Sequence, residues 1–186
     1  MSRFFYVLLN VCSRCEMETY GLKFRSSGRK WDENTTKWEI MMFLGKYSHT
    51  IDSKGRLIIP AKYRDEIGDA KLVVVPWWEE NLSVFTQEGF REYVKSLDNL
   101  QGSSETRRRI KRFITSGADE CRLDAQGRIL LNQDLRNYAH LSGDVILTGN
   151  MDSFEIWAPD VWDQVEEKLM DADEMRNELE SLKQLF

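Results

Sequence analysis

The chain carries the same short motif twice. Residues 52–59 read Asp-Ser-Lys-Gly-Arg-Leu-Ile-Ile and residues 124–131 read Asp-Ala-Gln-Gly-Arg-Ile-Leu-Leu, so each has an Asp, a Gly and an Arg followed by three aliphatic residues. The same offset of 72 residues (124 minus 52) aligns the apolar run at 73–75 with the one at 145–147. Similarity at a constant spacing indicates a duplicated structural unit. We therefore expect two copies of one supersecondary module.

The 186 residues divide into three segments. Residues 1–41 show no persistent helical or strand period, and their second half is polar and rich in turn residues. We expect this segment to be an extension that is disordered or foreign to the native protein, with translation starting at Met42. We assign the first module and its linker helices to residues 42–117, and the second module with an acidic C-terminal helix to residues 118–186.

Each copy of the motif is flanked by patterns of regular structure. In the first copy we expect strands at 46–51 and 57–59, joined as a hairpin by a turn in which Gly55 adopts a positive φ. Pro60 suits the first turn of a helix over 61–67, and Asn132 is expected to cap the matching helix of the second copy. Apolar spacing predicts further strands at 71–75, 82–86, 145–148 and 154–158, and helices at 87–97, at 104–116 and from Pro159 onward. The expected fold is α+β, with two β-rich modules that are each closed by helix.

The charge of the chain is unevenly distributed. There are 26 basic and 31 acidic residues, and this net charge of −5 gives no general sign of nucleic-acid or anionic membrane binding. Residues 159–186 carry nine acidic and three basic side chains, whereas residues 105–112 carry one acidic and five basic side chains. The acidity therefore belongs mainly to one C-terminal helix and does not exclude anion binding elsewhere.

Other classes of protein find little support. No apolar run approaches the ~18 residues of a membrane-spanning helix. The 3 cysteines do not make a disulfide framework, which favours the reducing cytoplasm. Cys12 and Cys15 have the spacing of half a zinc site, but no second pair completes it, so we expect neither a metal nor another cofactor. The sequence has no nucleophile motif and no phosphate-binding loop, so we expect a protein that is not an enzyme.

The Asp-x-x-Gly-Arg turn is the most informative candidate for function. A cation held on a rigid hairpin can enter a DNA groove, where Arg binds guanine O6 and N7 and Lys neutralises phosphate. The alternative is structural, with Asp52 and Arg56 paired across their own turn and Asp124 and Arg128 paired likewise. Because both copies keep the Arg while diverging elsewhere, the two interpretations stand about level. In the functional one, the Asp orients the loop and the cation faces outward.

Two further clusters have more than one explanation. The basic run at 107–112 fits a nucleic-acid contact, a solvated helix face, or a docking surface for the acidic C-terminal helix of a neighbouring subunit. Trp77 and Trp78 are interpreted as hairpin packing or a contact surface. Base-stacking sites usually interleave aromatic with basic residues, whereas Glu79 and Glu80 follow this pair.

The region from Met42-Phe43-Leu44-Gly45-Lys46-Tyr47 through the first motif to Arg64 closely resembles the start of the MraZ family. These bacterial regulators are associated with the division and cell-wall gene cluster and consist of two SpoVT-AbrB-type domains. The second motif, Asp124 to Arg128, resembles that family's second copy, and the resemblance extends to the C-terminal helix. It implies barrel-like swapped-hairpin β modules, each followed by helix. It also implies a ring-like homo-oligomer in the nucleoid that binds double-stranded DNA at repeated promoter sites.

The resemblance also implies roles for residues at matching positions. The implied DNA-facing side chains are Lys54, Arg56 and Arg128, with Arg64 and Arg136 as weaker candidates on the helices that follow. The implied structural residues of the turns are Asp52, Gly55, Asp124 and Gly127.

The second copy departs from the family pattern. Gln126 stands where the first copy has Lys54, and residues 132–134 read Asn-Gln-Asp where residues 60–62 read Pro-Ala-Lys. We therefore expect the first copy to bind DNA more strongly. The implied function is a sequence-specific transcriptional regulator that acts as a repressor. The alternatives are a ring-forming assembly protein that docks a partner through Trp77, Trp78 and the helices, and, with least support, a small hydrolase or metal-dependent enzyme.

Overall fold

The computed structural model describes residues 42–183, so the expectations for residues 1–41 lie outside the described residues. These residues combine helices with antiparallel strands, which confirms the α+β class. In chain order the elements are β1 (Lys46–Thr50), β2 (Arg56–Ile58), α1 (Ala61–Ile67), β3 (Leu72–Pro76), β4 (Leu82–Thr86), α2 (Gln87–Ser96), a 3-10 turn (Leu97–Asn99), α3 (Ser104–Ser116), β5 (Asp119–Cys121), β6 (Arg128–Leu130), α4 (Gln133–Tyr138), β7 (Asp144–Asn150), β8 (Ser153–Trp157), α5 (Pro159–Met170) and α6 (Ala172–Lys183).

The strands of the two repeats are interleaved. Six strands form one sheet in the order β1-β7-β8-β4-β3-β5, and β2 and β6 form a separate two-stranded ribbon. The first repeat's β1 pairs with β7 of the second repeat, and the second repeat's β5 pairs with β3 of the first. The ribbon also joins one strand from each repeat. Folding of either repeat is therefore completed by strands of the other.

The hairpin expected within the first motif forms only at its turn. Asp52 N–H donates to the Arg56 carbonyl at 3.0 Å, and an isolated bridge joins Ile51 to Leu57. Beyond that bridge, β2 leaves β1 and pairs with β6, where Leu57 lies opposite Ile129. Both of these side chains are fully buried in the main core. The two short strands thus bury their apolar faces together, which fixes their register.

Two apolar cores lie on opposite faces of the six-stranded sheet. The main core includes the inner faces of the strands, the ribbon, α1 and α4, and at its centre Tyr63 packs against Phe43 and Phe154 with ring centroids 5.3 and 5.1 Å away. A second core under α2 and α3 contains Phe85, on which Tyr93 of α2 stacks at 5.4 Å. The apolar sides of α2 and α3 therefore pack on the sheet, through Phe90, Tyr93, Ile110 and Ile114.

Local sequence sets the ends of the short helices. Pro60 precedes α1, which covers residues 61–67 as predicted. The Asn132 side chain accepts the N–H of Leu135 at 2.9 Å and caps α4, as predicted. Among the helices described between residues 42 and 183, none is long and apolar enough to cross a membrane.

The C-terminal helix expected to continue from Pro159 through the acidic tail is interrupted. Helix α5 ends at Met170 and α6 begins two residues later. The intervening Asp171 is extended, and its Oδ1 accepts the N–H groups of residues 173 and 174, both at 3.0 Å. An Asp that satisfies free N–H groups in this way caps a new helix. The expectation of one continuous helix was therefore wrong.

Candidate nucleic-acid interface

The first Asp-x-x-Gly-Arg motif folds into a closed turn at one end of β2. Asp52 Oδ1 accepts the N–H groups of Lys54 and Arg56, both at 2.9 Å, and Gly55 N–H donates to the Asp52 carbonyl at 2.9 Å. Gly55 has a φ of +82°, which glycine adopts without strain. The turn itself therefore depends on its Asp and its Gly.

The Arg56 guanidinium folds back onto the carboxylate of its own turn. Arg56 Nε and Nη2 each lie 2.6 Å from Asp52 Oδ2. The pKa of Asp52 is lowered to about 2, chiefly because the Arg56 backbone N–H donates to the carboxylate and also because the Arg56 guanidinium lies beside it. The ion pair of the structural interpretation is thus present, while 35% of each side chain remains exposed.

The second repeat builds the same turn. Asp124 Oδ1 accepts the N–H groups of Gln126 at 2.8 Å and Arg128 at 3.0 Å, and Arg128 Nε donates to Asp124 Oδ2 at 2.8 Å. Gly127 has a φ of +72°. Here the hydrogen bond from the guanidinium is the leading cause that lowers the pKa of Asp124 to about 2. The sequence repeat is therefore a repeat of atomic contacts.

The β2–β6 ribbon presents one outward face between these two turns. Arg56 lies opposite Leu130, and Ile58 lies opposite Arg128. The middle residue of each strand is buried, and side chains alternate between the two faces of a strand, so these four side chains share the outward face. Ile58 and Leu130 are 48% and 57% exposed. The sequence expectations did not include these two aliphatic residues, although period-two alternation within each aliphatic triplet marks them.

The two turns differ in the charge that is left unpaired. Lys54 is exposed, and its ammonium has no ion-pair partner in the described part of the chain. The corresponding residue of the second turn is the uncharged Gln126. Because each turn's Asp and Arg neutralise each other, the first turn carries one surplus positive charge and the second carries none.

Arg64 of α1 and Arg136 of α4 do not lie on the ribbon; each lies against the turn of the opposite repeat. A Cβ built on Gly55 lies 3.0 Å from Arg136 Nε, and a Cβ built on Gly127 lies 2.6 Å from Arg64 Nη1. A cleft of about 620 Å³ adjoins Asp52 and Arg136, and a smaller one of about 330 Å³ adjoins Asp124 and Arg64. Lys54, Arg56 and Arg128 therefore lie on the turns and their ribbon. Arg64 and Arg136 instead lie against the turns of the opposite repeat.

The basic run on α3 contains two structural cations. Arg107 Nη1 donates to the Leu100 and Gly102 carbonyls at 3.1 and 2.6 Å, and Lys111 Nζ lies 2.6 Å from Asp98 Oδ1. The remaining cations are exposed and have no ion pair among residues 42–183; they are Arg108, Arg109 and Arg112. This helix is therefore partly a loop anchor and partly a free basic face.

The two adjacent tryptophans have different environments. Trp77 packs against Phe85 and Tyr93 with ring centroids 5.8 and 5.4 Å away, in the second core. Trp78 stacks on Phe113 of α3 at 4.9 Å and is 40% exposed. The first is hairpin packing, and the second forms part of an exposed aromatic surface.

Candidate metal ligands are not assembled in the described segment. No group of three or more His, Cys, Asp or Glu side chains close enough to hold a metal occurs between residues 42 and 183. Cys121 is half-buried, and burial raises the pKa of its thiol to about 12. Cys12 and Cys15 lie outside the described residues.

Interleaved α+β repeats with two equivalent Asp–Arg turns define a tandem-repeat protein with two arginines on the outward face of one ribbon. A sequence profile described as "MraZ protein, putative antitoxin-like" matches the chain twice, at residues 42–113 and 114–185. The chain belongs to the MraZ family.

Several relatives named "Transcriptional regulator MraZ" match most of the chain. The one from Leuconostoc citreum (strain KM20) is 44% identical over 121 residues, covering 65% of this chain and 84% of the relative. The one from Oenococcus oeni is 38% identical over 143 residues, covering 71% and 99%. The one from Moorella thermoacetica is 44% identical over 123 residues, covering 66% and 85%. Among solved structures, the solution structure of PHS018 from Pyrococcus horikoshii matches 62% of this chain and 89% of its own at 17% identity, and its TM-score of 0.29 is too low to inform the fold.

Proposed function

We propose that this protein is a sequence-specific DNA-binding transcriptional regulator that contacts DNA through the outward face of its β2–β6 ribbon. The observation that carries the proposal is the pair of equivalent arginines, Arg56 and Arg128, on one exposed two-stranded ribbon. The relatives' name, transcriptional regulator, supports a role at promoters.

The dimensions of the ribbon fit a DNA groove. Two residue steps of about 3.4 Å along a strand and one strand spacing of about 4.8 Å separate the Arg56 and Arg128 Cα atoms by roughly 8 Å. The major groove of B-DNA is about 12 Å wide and admits a two-stranded ribbon. Asp52 engages Nε and Nη2 of Arg56, so Nη1 is left for a base edge or a phosphate. The exposed Ile58 and Leu130 suit contact with thymine methyl groups.

Charge supports a stronger contact by the first repeat. Lys54 supplies the one unpaired cation of the two turns, and a Lys at this position neutralises a phosphate. Gln126 in the second turn can donate a hydrogen bond but releases no counterion. We propose that the first repeat provides most of the phosphate contact and that the second provides mainly base and shape contacts.

We also propose that the regulator is a ring-like homo-oligomer of swapped-hairpin modules. Helix α6 packs on α5, and its described side chains are exposed, including Met175 and Leu179 on adjacent turns. This acidic, apolar helix complements the free arginines of α3 and the exposed Trp78–Phe113 stack. A contact between two different surfaces of identical chains generates a closed ring when its rotation closes.

The remaining parts of the proposal come from the resemblance to MraZ proteins. The protein acts in the cytoplasm, at the nucleoid, as a repressor at repeated promoter sites of the division and cell-wall gene cluster. A ring that repeats the ribbon engages several sites jointly, so weak single contacts gain through effective concentration.

A second candidate function has its own observation. The exposed Trp78–Phe113 stack and the unpartnered face of α6 also fit a protein that assembles with, or docks, another protein without specific DNA binding. That candidate predicts no retardation of promoter DNA.

The test is a gel shift with the DNA upstream of the protein's own gene. Lys54→Ala and Arg56→Ala should each abolish most of the retention, while light scattering shows the wild-type oligomer. Lys95→Ala removes an exposed cation from α2, on the opposite face of the sheet, and serves as the matched control. Equal retention by all four proteins would exclude the ribbon as the DNA-contacting surface.

A further inference from the structure

Each of the two turns is completed by the opposite repeat. The Leu131 N–H of the second repeat donates to the Gly55 carbonyl at 2.9 Å, and the Ile59 N–H of the first repeat donates to the Gly127 carbonyl at 3.0 Å. The two hydrogen bonds are equivalent under the offset of the repeat. A turn formed by one motif alone therefore lacks part of its backbone support.

An arginine from the opposite repeat covers the glycine of each turn. Arg136 of α4 lies against Gly55, with Nε 3.0 Å and Cζ 3.1 Å from the position of a Cβ, next to the Leu131 carbonyl oxygen at 2.7 Å. Arg64 of α1 lies against Gly127, with Cδ 2.5 Å and Nη1 2.6 Å from the position of a Cβ. These distances are shorter than ordinary carbon contacts, so the guanidinium and its stem occupy space that only glycine leaves free.

The contacts of these arginines differ from those of Arg56. The Nε atoms of Arg64 and Arg136 are buried and have no hydrogen-bond partner among residues 42–183. Neither forms an ion pair within that range, and Arg136 Nη2 donates only to Gln133 Oε1, at 2.6 Å. Arg stems stabilise a fold by packing as well as by charge. The guanidinium groups of Arg64 and Arg136 therefore contact the turns mainly by packing.

We infer that Arg64 and Arg136 are positioning residues that act across the repeats, with Arg136 holding the first turn and Arg64 holding the second. This replaces the expectation that they face DNA beside the turns. The inference rests on the proposed function only for its consequence, which is that the supported turns contact DNA. The crossed support itself is a property of the free protein, so it can be tested without DNA.

Amide hydrogen exchange of the full chain tests the crossed pattern. Arg136→Ala should speed exchange at the Lys54 and Arg56 amides about tenfold, because these N–H groups depend on a closed first turn, and should leave Gln126 and Arg128 unchanged. Arg64→Ala should give the mirror result. Acceleration confined to the turn of the substituted arginine's own repeat, or spread equally over both turns, would overturn the inference.

A glycine substitution keeps the test decisive if an arginine variant does not fold. Gly127→Ala places a methyl group against Arg64, whose Cδ, Nη1 and Nε are its three nearest atoms, and should likewise speed exchange of the second-turn amides. Gly143→Ala is the matched control, because Gly143 has a similar φ of +90° but nothing within 4 Å of an added Cβ. If the two variants change exchange at Gln126 to the same extent, backbone strain accounts for the effect and the inference fails.

Salt dependence separates a positioning role from a direct phosphate contact. Arg136→Ala should weaken DNA binding several-fold while the slope of log K against log salt stays the same. A direct contact would instead reduce the slope by about 0.9, and that result would contradict the inference. If the wild-type chain does not bind DNA at all, the proposed function fails, and the exchange experiment still decides the crossed support.

Discussion

Glu155→Gln should remove a large part of the pH dependence of stability. Glu155 lies on β8 between Thr148 of β7 and Ser83 of β4, where the sheet joins the two repeats. Its carboxylate accepts long hydrogen bonds from Thr148 Oγ1 at 3.4 Å and Asn150 Nδ2 at 3.5 Å. Burial, with a smaller contribution from the charge of Glu79, raises the pKa of Glu155 from 4.5 to about 7.

The sign of the effect follows from proton linkage. A raised pKa means that the folded chain binds a proton more tightly than the unfolded chain between pH 4.5 and about 7. The stabilisation from protonated Glu155 is therefore present below pH 4.5 and lost as the pH rises through about 7. At about 1.36 kcal/mol per pKa unit, the loss amounts to roughly 3 kcal/mol. Glutamine keeps the shape and stays neutral at every pH.

Urea unfolding at pH 4 and pH 8 measures the prediction. The unfolding free energy of Glu155→Gln minus that of the wild type should increase by roughly 3 kcal/mol from pH 4 to pH 8. Glu92→Gln makes the same chemical change at an exposed site on α2 and should show no such increase. A difference that is the same at both pH values would refute the account of Glu155 as a partly buried acid with a raised pKa.

Three further predictions concern caps and turns. Asn132→Ala removes the cap of α4 and should lower the unfolding free energy by about 1 kcal/mol in urea titrations; a loss near zero would mean that the cap is replaced by water. Asp171→Ala should reduce the helical circular dichroism signal because α6 loses its cap; an unchanged spectrum would show that α6 forms without it. The pKa values of Asp52 and Asp124 lie at about 2, below the usual 3.8, so the turns keep their support above about pH 4 and lose it as the pH falls through about 2. Amide exchange in both turns should accelerate over that window, and turns that stay closed at pH 2 would contradict this.

Local elements were predictable because their signals are local. The helix after Pro60 and the Asn132 cap each depend on residues within a few positions of one another, and the structure has both of them. The interrupted C-terminal helix was missed although Asp171 is a favourable capping residue. The helical spacing of apolar residues continues on both sides of Asp171, and it favoured one uninterrupted helix.

Strand partners were not predictable from local patterns. Strand β2 pairs with β6 rather than with β1 because the buried sides of both motifs share one core, and a short aliphatic run does not encode that choice. Strand β5 was missed because Asp119–Cys121 has no apolar alternation. The offset of 72 residues aligns it with the middle of β1, so the repeat itself holds the signal that could have found it.

The arginines of the candidate site were predictable from the sequence, whereas the geometry of the site was not. The doubled motif identifies Arg56 and Arg128, and the ion pairs with their Asp residues were foreseen as the structural alternative. The crossed positions of Arg64 and Arg136 depend on how the repeats interleave, which no spacing within one copy reveals.

The salt dependence of promoter binding tests most directly whether the ribbon and its turns contact DNA. Each phosphate contact by a cation contributes about 0.9 to the slope of log K against log salt. Lys54→Ala should reduce the magnitude of the slope by about 0.9 for each bound subunit, and Gln126→Lys should increase it by about the same amount. Slopes that are unchanged in both variants would contradict a DNA contact by the turns.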